Sequence, residues 1–193
     1  MNAVCLQQVI DHLWPDGDSL TGGQVYALLD GARDTRIEPM VRLSRLEYSC
    51  LYAGSLSPRL QVAAPYLIHL APESQDARNL IELGWGNSWG IFTIVPADVT
   101  LQIQRRHFRT LLRVQDEAER ILAFRFYDPR VLRVYLPTCT GEEAIRFFGP
   151  VPCIVVEAAQ SSNMIKYMPG KAGARMETIL LDADAAACPT GPG

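Results

Sequence analysis

The stretch Ile121-Leu122-Ala123-Phe124-Arg125-Phe126-Tyr127-Asp128-Pro129-Arg130-Val131-Leu132 joins two different patterns. From Ile121 to Tyr127 it is aliphatic and aromatic, with Phe124 and Phe126 alternating against Arg125 and Tyr127. That alternation predicts a strand, the clearest in the chain. Asp128 is a good helix cap and Pro129 suits a first helical turn, so a helix is expected through about Leu136. A strand that runs straight into a helix points to a fold mixing both elements.

The rest of the chain reads the same way. Upstream, Val25-Tyr26-Ala27-Leu28-Leu29 is a continuous apolar run, as expected of a buried strand, and Asp30-Gly31 ends it. Further strands are expected at Glu47–Ala53, at Tyr66–Leu70 behind Pro65, and at Ile91–Val95. Helices are expected at 3–13, at 36–45, after Ser74, and at 99–113 behind Asp98, with Gly54–Pro58 a loop. Downstream, Thr140-Gly141-Glu142-Glu143 opens a short helix ending at Phe148-Gly149-Pro150. Strands are then expected at Cys153–Ala158, Met164–Met168 and Arg175–Leu181. No internal repeat of fixed period is present. The expected fold is mixed α/β (α+β): a mixed sheet with flanking helices in one domain, 1–181. A larger N-terminal lobe would span about 1–115 and a smaller C-terminal lobe about 116–181, with 182–193 a flexible tail.

Composition narrows the class. The 193 residues are 48% hydrophobic and 20% charged, as in an ordinary globular chain. The net charge of −3 gives no overall field for nonspecific nucleic-acid binding. Of the basic residues only Lys166 and Lys171 are lysine; the rest are arginine, which forks onto carboxylates and stacks on aromatics. The first residues lack the basic start and apolar core of a secretory signal. No stretch approaches the roughly 18 apolar residues of a membrane helix. Cys5, Cys50, Cys139, Cys153 and Cys188 are scattered and odd in number, and His12, His69 and His107 are isolated. Free thiols in a reducing cytoplasm are therefore expected, with no metal site and no cofactor.

No catalytic or phosphate-loop motif appears. Gly84, Gly86 and Gly90 read as a turn that lets Trp85 and Trp89 pack, since the helix precedes them and the strand follows. On the 99–113 helix, Arg105, Arg106, Arg109 and Arg113 would share a face beside the apolar side, with His107 on the flank in a structural hydrogen bond. Arg125, inside an apolar strand, needs a partner, and Asp30, Glu157 and Asp128 are the candidates.

Six short blocks in order resemble one family: Tyr26–Ala32, Leu51–Gly54 with Ala64–Leu67, Trp89–Ile91, His107–Leu112, Phe124–Leu132 and Phe147–Pro150. They resemble the domain-of-unknown-function 4123 family of type VI secretion gene clusters, over about residues 24–157. Asp30, Gly54, Pro65, Arg125, Tyr127, Asp128, Pro129, Gly149 and Pro150 carry the signature. The resemblance implies a cytoplasmic adaptor, without catalytic residues, that binds a cognate effector and promotes its loading onto the VgrG spike protein. Neither nucleic acid nor membrane is an expected partner. Residue type and expected exposure, independently of the resemblance, make Trp85, Trp89, Arg105, Arg106, Arg109, Arg113, Arg130 and Tyr135 the contact candidates. The competing reading is a small hydrolase or anion-binding protein using His107, Asp128 and the Arg105–Arg113 face.

Overall fold

The Val25–Leu29 run lies at the centre of the molecule because both of its faces are apolar. The computed structural model describes residues 3–15, 23–115 and 118–181; the tail expected at 182–193 lies outside the described residues. In chain order the elements are α1 (Ala3–Leu13), β1 (Gly23–Asp30), α2 (Ile37–Leu43), β2 (Tyr48–Cys50), α3 (Pro58–Val62), β3 (Pro65–Leu70), α4 (Gln75–Gly84) and β4 (Gly90–Pro96). They continue with α5 (Leu101–Leu111), β5 (Arg113–Gln115), β6 (Ile121–Ala123), α6 (Pro129–Tyr135), α7 (Gly141–Phe148), β7 (Cys153–Glu157), β8 (Asn163–Gly170) and β9 (Gly173–Leu180). A 3-10 turn, Leu136–Thr138, follows α6.

Seven strands form one sheet in the order β2-β3-β1-β4-β7-β8-β9, and β5 and β6 make a separate hairpin. The fold is the expected mixed α+β class, and its pairings are antiparallel throughout the described residues. Because β7 pairs with β4, as in Phe92 opposite Val155, the strands after residue 150 extend the sheet begun by β1.

Helices cover both faces. Val25, Ala27 and Leu29 of β1 point to one core with Val9 and Leu13 of α1, Ile37 and Val41 of α2, and Leu80 and Ile81 of α4. Tyr26 and Leu28 point to the other core, with Phe108 of α5, Leu132 of α6 and Phe147 and Phe148 of α7. Each of the Val, Leu, Ile and Phe side chains so removed from water contributes about 1.5–3 kcal/mol.

Local signals place the helix starts. Ser74 accepts from the Ala77 N–H, Asp128 accepts from the Arg130 N–H with Pro129 behind it, and Thr140 and Glu143 form a reciprocal capping box. Three expectations need correction. The strand expected over Ile121–Tyr127 stops at Ala123, because its partner β5 begins only at Arg113, where α5 has ended. Phe124 still donates its N–H to the Leu112 carbonyl at 2.9 Å, and Arg125–Asp128 then turns. The turn lets the adjacent Phe126 and Tyr127 both be buried, which strict alternation forbids. The helix expected at 99–113 starts instead behind Thr100, whose hydroxyl accepts from the Ile103 N–H, and it ends at Leu111. Last, α3 occupies part of the expected 54–58 loop and beyond, capped by Ser57 with Pro58 in its first turn.

Candidate functional site

The contact candidates fall into three groups. Trp85 and Trp89 are buried rather than exposed. The Trp85 indole N–H donates to the Ser161 carbonyl at 2.8 Å, and Trp89 lies under the Arg36 guanidinium, 5.2 Å from the ring centre. Their burial follows from the loop between them. Gly86 and Ser88 take left-handed backbone conformations, and a side chain at Gly90 would strike the Leu28 carbonyl of β1. The Gly86 N–H donates to the Glu157 carboxylate, and the Ser88 N–H and hydroxyl donate to its other oxygen at 3.0 and 2.8 Å. The expected glycine turn is thus present, and a protein carboxylate fills it.

The four-arginine face does not form. Arg105 is half-buried and donates to the Cys50 carbonyl at 3.0 Å, while Arg106 and Arg109 stay on the exposed side of α5. Arg113 leaves the helix for β5.

The third group comes together. Phe124 and Tyr135 meet edge to face with ring centres 4.7 Å apart, and this pair divides two adjoining depressions. One, of about 630 Å³, is lined along α6 by Asp128, Arg130, Val131, Val134 and Thr138. The other, of about 680 Å³, lies between the hairpin and α7, with Arg113, Val114, Gln115, His107 and Arg146 in its wall. Val134, in the first depression, is 72% exposed, and Val114, on the hairpin wall of the second, is 39% exposed. Together the two depressions form a groove, apolar along α6 and more polar toward α7, where Glu143 lines it as well as Arg113 and Arg146. Arg130 is committed to Asp128 through contacts of 3.0 and 2.6 Å, whereas Arg113 and Arg146 have no ion pair among the described residues. Burial pushes the Asp128 carboxyl up, but hydrogen bonds from Arg130 outweigh it and hold the group below its ordinary value.

Arg113, Arg130 and Tyr135 therefore share this surface; Trp85, Trp89, Arg105, Arg106 and Arg109 do not line it. Sequence reasoning missed Phe124, Val131, Val134 and Arg146. One signal was available: α6 is apolar on more sides than one buried face requires, with Val131, Leu132, Val134 and Tyr135 broken only by Arg133.

His107 and Asp128 line different depressions. The Nε2 of His107 lies 2.7 Å from the Phe147 carbonyl, which accepts its proton, and this ties α5 to α7. Burial pushes the His107 pKa below the ordinary 6.5. The unfolded chain therefore takes up this proton first as pH falls, so the contribution of His107 is full above about 6.5 and is lost toward the lower folded value. His107→Gln, which can donate the same hydrogen bond without titrating, should match the wild type in urea unfolding at pH 7.5 and outlast it at pH 5. Equal losses for both proteins on acidification would refute this. Gly149 completes the contact: its φ is +52°, and a Cβ there would lie 2.4 Å from the imidazole.

Cys50, Cys139 and Cys153 are free thiols, and burial raises their pKa and that of Cys5, which leaves all four weakly nucleophilic. Among the described residues no group of three His, Cys, Asp or Glu side chains is placed to hold a metal ion, and no helix is long and apolar enough to cross a membrane.

Four of the signature residues, Asp30, Arg125, Tyr127 and Asp128, lie at or next to the groove wall, whereas Gly54 lines a separate depression. Arg125 reaches Asp30 at the end of β1, Asp128 caps α6, and Tyr127 is buried with the Tyr52 hydroxyl beside it. No curated protein and no solved structure matches the chain. A family model described as a domain of unknown function matches residues 25–146, from β1 into α7, and so takes in the first depression, all of the second except Phe147, and the Asp30–Arg125 pair. With more than half of its length so matched, the chain belongs to the DUF4123 family.

Proposed function

We propose that the protein is an adaptor that binds a type VI secretion effector in the cytoplasm and promotes its loading onto the VgrG spike protein, and that the effector segment docks in the groove around Phe124 and Tyr135. The observation that carries this reading is the accessible apolar wall of Phe124, Val131, Val134, Tyr135 and Val114, flanked by Arg113 and Arg146. Buried aromatic and aliphatic surface supplies affinity, and charges on a rim govern partner choice and association rate. The two uncommitted arginines favour a cargo segment with an apolar face and flanking carboxylates.

Co-expression of the full chain with the effector from its own gene cluster, followed by affinity capture, tests both parts. Val134→Asp and Val114→Asp alter exposed positions that line the groove, so each should cost no more than about 1 kcal/mol of stability. Each should nevertheless weaken effector capture by about tenfold or more, since a carboxylate would then have to be desolvated against apolar surface. Full capture by both variants would move the site elsewhere on the molecule. A wild-type chain that captures neither effector nor spike protein would remove the adaptor reading itself.

A further inference from the structure

The last strand, β9, is the edge of the main sheet: it pairs with β8 and with no other strand among the described residues. Its register to β8 determines which backbone groups remain free. Leu181 donates its N–H to the Ser162 carbonyl at 2.8 Å, in the same register that sets Arg175 opposite Met168 and Glu177 opposite Lys166. Hydrogen-bonded positions alternate along an antiparallel pair, so the odd-numbered residues of β9 bond inward to β8. The N–H and C=O groups of Ala174, Met176, Thr178 and Leu180 therefore point away from the sheet. Near the hairpin turn the strand curls toward Cys139, but Arg175 to Thr178 are all exposed, Met176 by 58%. An exposed edge of this kind is a template for another strand.

We propose that the strand it takes is β9 of a second copy of this chain, paired antiparallel about a two-fold axis at Met176. The charge pattern supports this occupant. Only even-numbered residues can exchange backbone hydrogen bonds across the edge, so the dyad registers nearest the middle of the strand are those centred at Arg175, Met176 or Glu177. Centring at Arg175 or Glu177 sets like charges directly opposite, which is destabilising. Centring at Met176 sets Arg175 opposite the partner copy's Glu177, and Glu177 opposite its Arg175, at the closely spaced non-hydrogen-bonded positions. Neither side chain has an ion pair within its own chain among the described residues. Met176 meets its own copy on the dyad and bonds through both of its outward backbone groups. The two-fold axis stands perpendicular to the sheet, so the faces carrying α5, α6 and α7 in the two copies lie on one side of a single fourteen-stranded sheet. This inference stands on β9 alone, outside the family match, and holds or fails independently of the adaptor reading.

Sedimentation velocity of the full chain over about 1–300 µM, a range that spans weak self-association, tests it. The wild type should dimerise with concentration, less at high salt because the ion pairs are exposed. Met176→Pro removes only an outward N–H, so it should leave thermal unfolding nearly unchanged and yield a monomer. Arg175→Glu and Glu177→Arg should each weaken the dimer by about tenfold, because two attractive pairs become repulsive. An equimolar mixture of these two variants should form a heterodimer, and the doubly reversed chain should regain the homodimer. A wild type that stays monomeric throughout would overturn the proposal. So would a dimer that Met176→Pro leaves intact, or single reversals whose mixture does not associate. Crosslinking of β9 to an effector strand in place of a second copy would also overturn it.

Discussion

Arg125→Met is expected to destabilise the fold by about 3 kcal/mol at pH 7, more than Asp30→Asn, although the two residues form one ion pair. The asymmetry comes from where each charge sits. The Asp30 side chain is fully buried at the end of β1, while the Arg125 side chain is 43% exposed. Removing the guanidinium leaves a carboxylate in the interior with one remaining donor, the Ala32 N–H at 3.1 Å. Removing the carboxylate charge leaves an arginine that can reach water, at a cost of about 1 kcal/mol. Acidity separates this account from simple loss of packing. Burial already pushes the Asp30 carboxyl above its ordinary value, with Arg125 working against the shift. Without Arg125 the folded pKa rises further above the unfolded one. The folded variant then takes up a proton first as pH falls, so its deficit should shrink between pH 7 and pH 5. Urea unfolding of both variants at both pH values checks this. Equal losses for the two substitutions, or a deficit independent of pH, would show that Arg125 acts through its stem alone.

That pair also marks how far the sequence could be read. An arginine among aromatics demanded a carboxylate, and Asp30 was one of three candidates. Selecting it required the topology that brings the 124–128 turn to the end of β1, ninety-five residues away in the chain. The central strand and the caps at Ser74, Asp128 and Thr140 were legible because each depends on neighbouring residues only. The strand expected through Tyr127 was misread for the opposite reason. Alternation in Phe124–Tyr127 is real, but a strand also needs a partner, and α5 leaves only Arg113–Gln115 to pair. The same event removed Arg113 from the arginine face and delivered it to the groove. For Trp85 and Trp89 the packing reading of the glycine turn holds, and the exposure expected from their residue type and place near a turn does not. Here the glycines instead let the loop fold tightly enough to bury both rings.

The groove and the β9 edge are separate surfaces of the molecule. The family match covers the sheet centre, the Asp30–Arg125 pair and the surface around Phe124 and Tyr135. The exposed edge lies beyond it, on β9. Pairing at β9 would place the second copy beyond the sheet edge, with the face covered by α5, α6 and α7 on the same side in both copies. Two copies would then offer two grooves to the same side, and a cargo or spike protein with repeated segments would gain from their linkage.

Glu157→Ala should be the most damaging single substitution outside the apolar core, at about 4 kcal/mol, because one carboxylate satisfies three donors. Its oxygens accept from the Gly86 N–H, the Ser88 N–H and the Ser88 hydroxyl, and the residue is 6% exposed. Two of those donors are backbone amides held by the left-handed conformations of Gly86 and Ser88, so they cannot turn to find water without unfolding the loop. Alanine leaves both unsatisfied. Glutamine is no remedy: its amide nitrogen would face one of the N–H groups donor to donor. Ser88→Ala, by contrast, removes a single hydrogen bond and should cost about 1 kcal/mol. The loss should also be local before it is global. The loop carries Trp85 and Trp89, and its Asn87 carbonyl accepts from Arg33 at 3.1 Å, so loosening it frees both indoles. In Glu157→Ala the tryptophan emission should shift to the red, and the Gly86 and Ser88 amides should exchange with solvent far faster, at denaturant concentrations where β1 and β4 remain protected. If those amides stay as protected as in the wild type, the carboxylate is not what holds the loop, and the packing of Trp85 and Trp89 alone suffices.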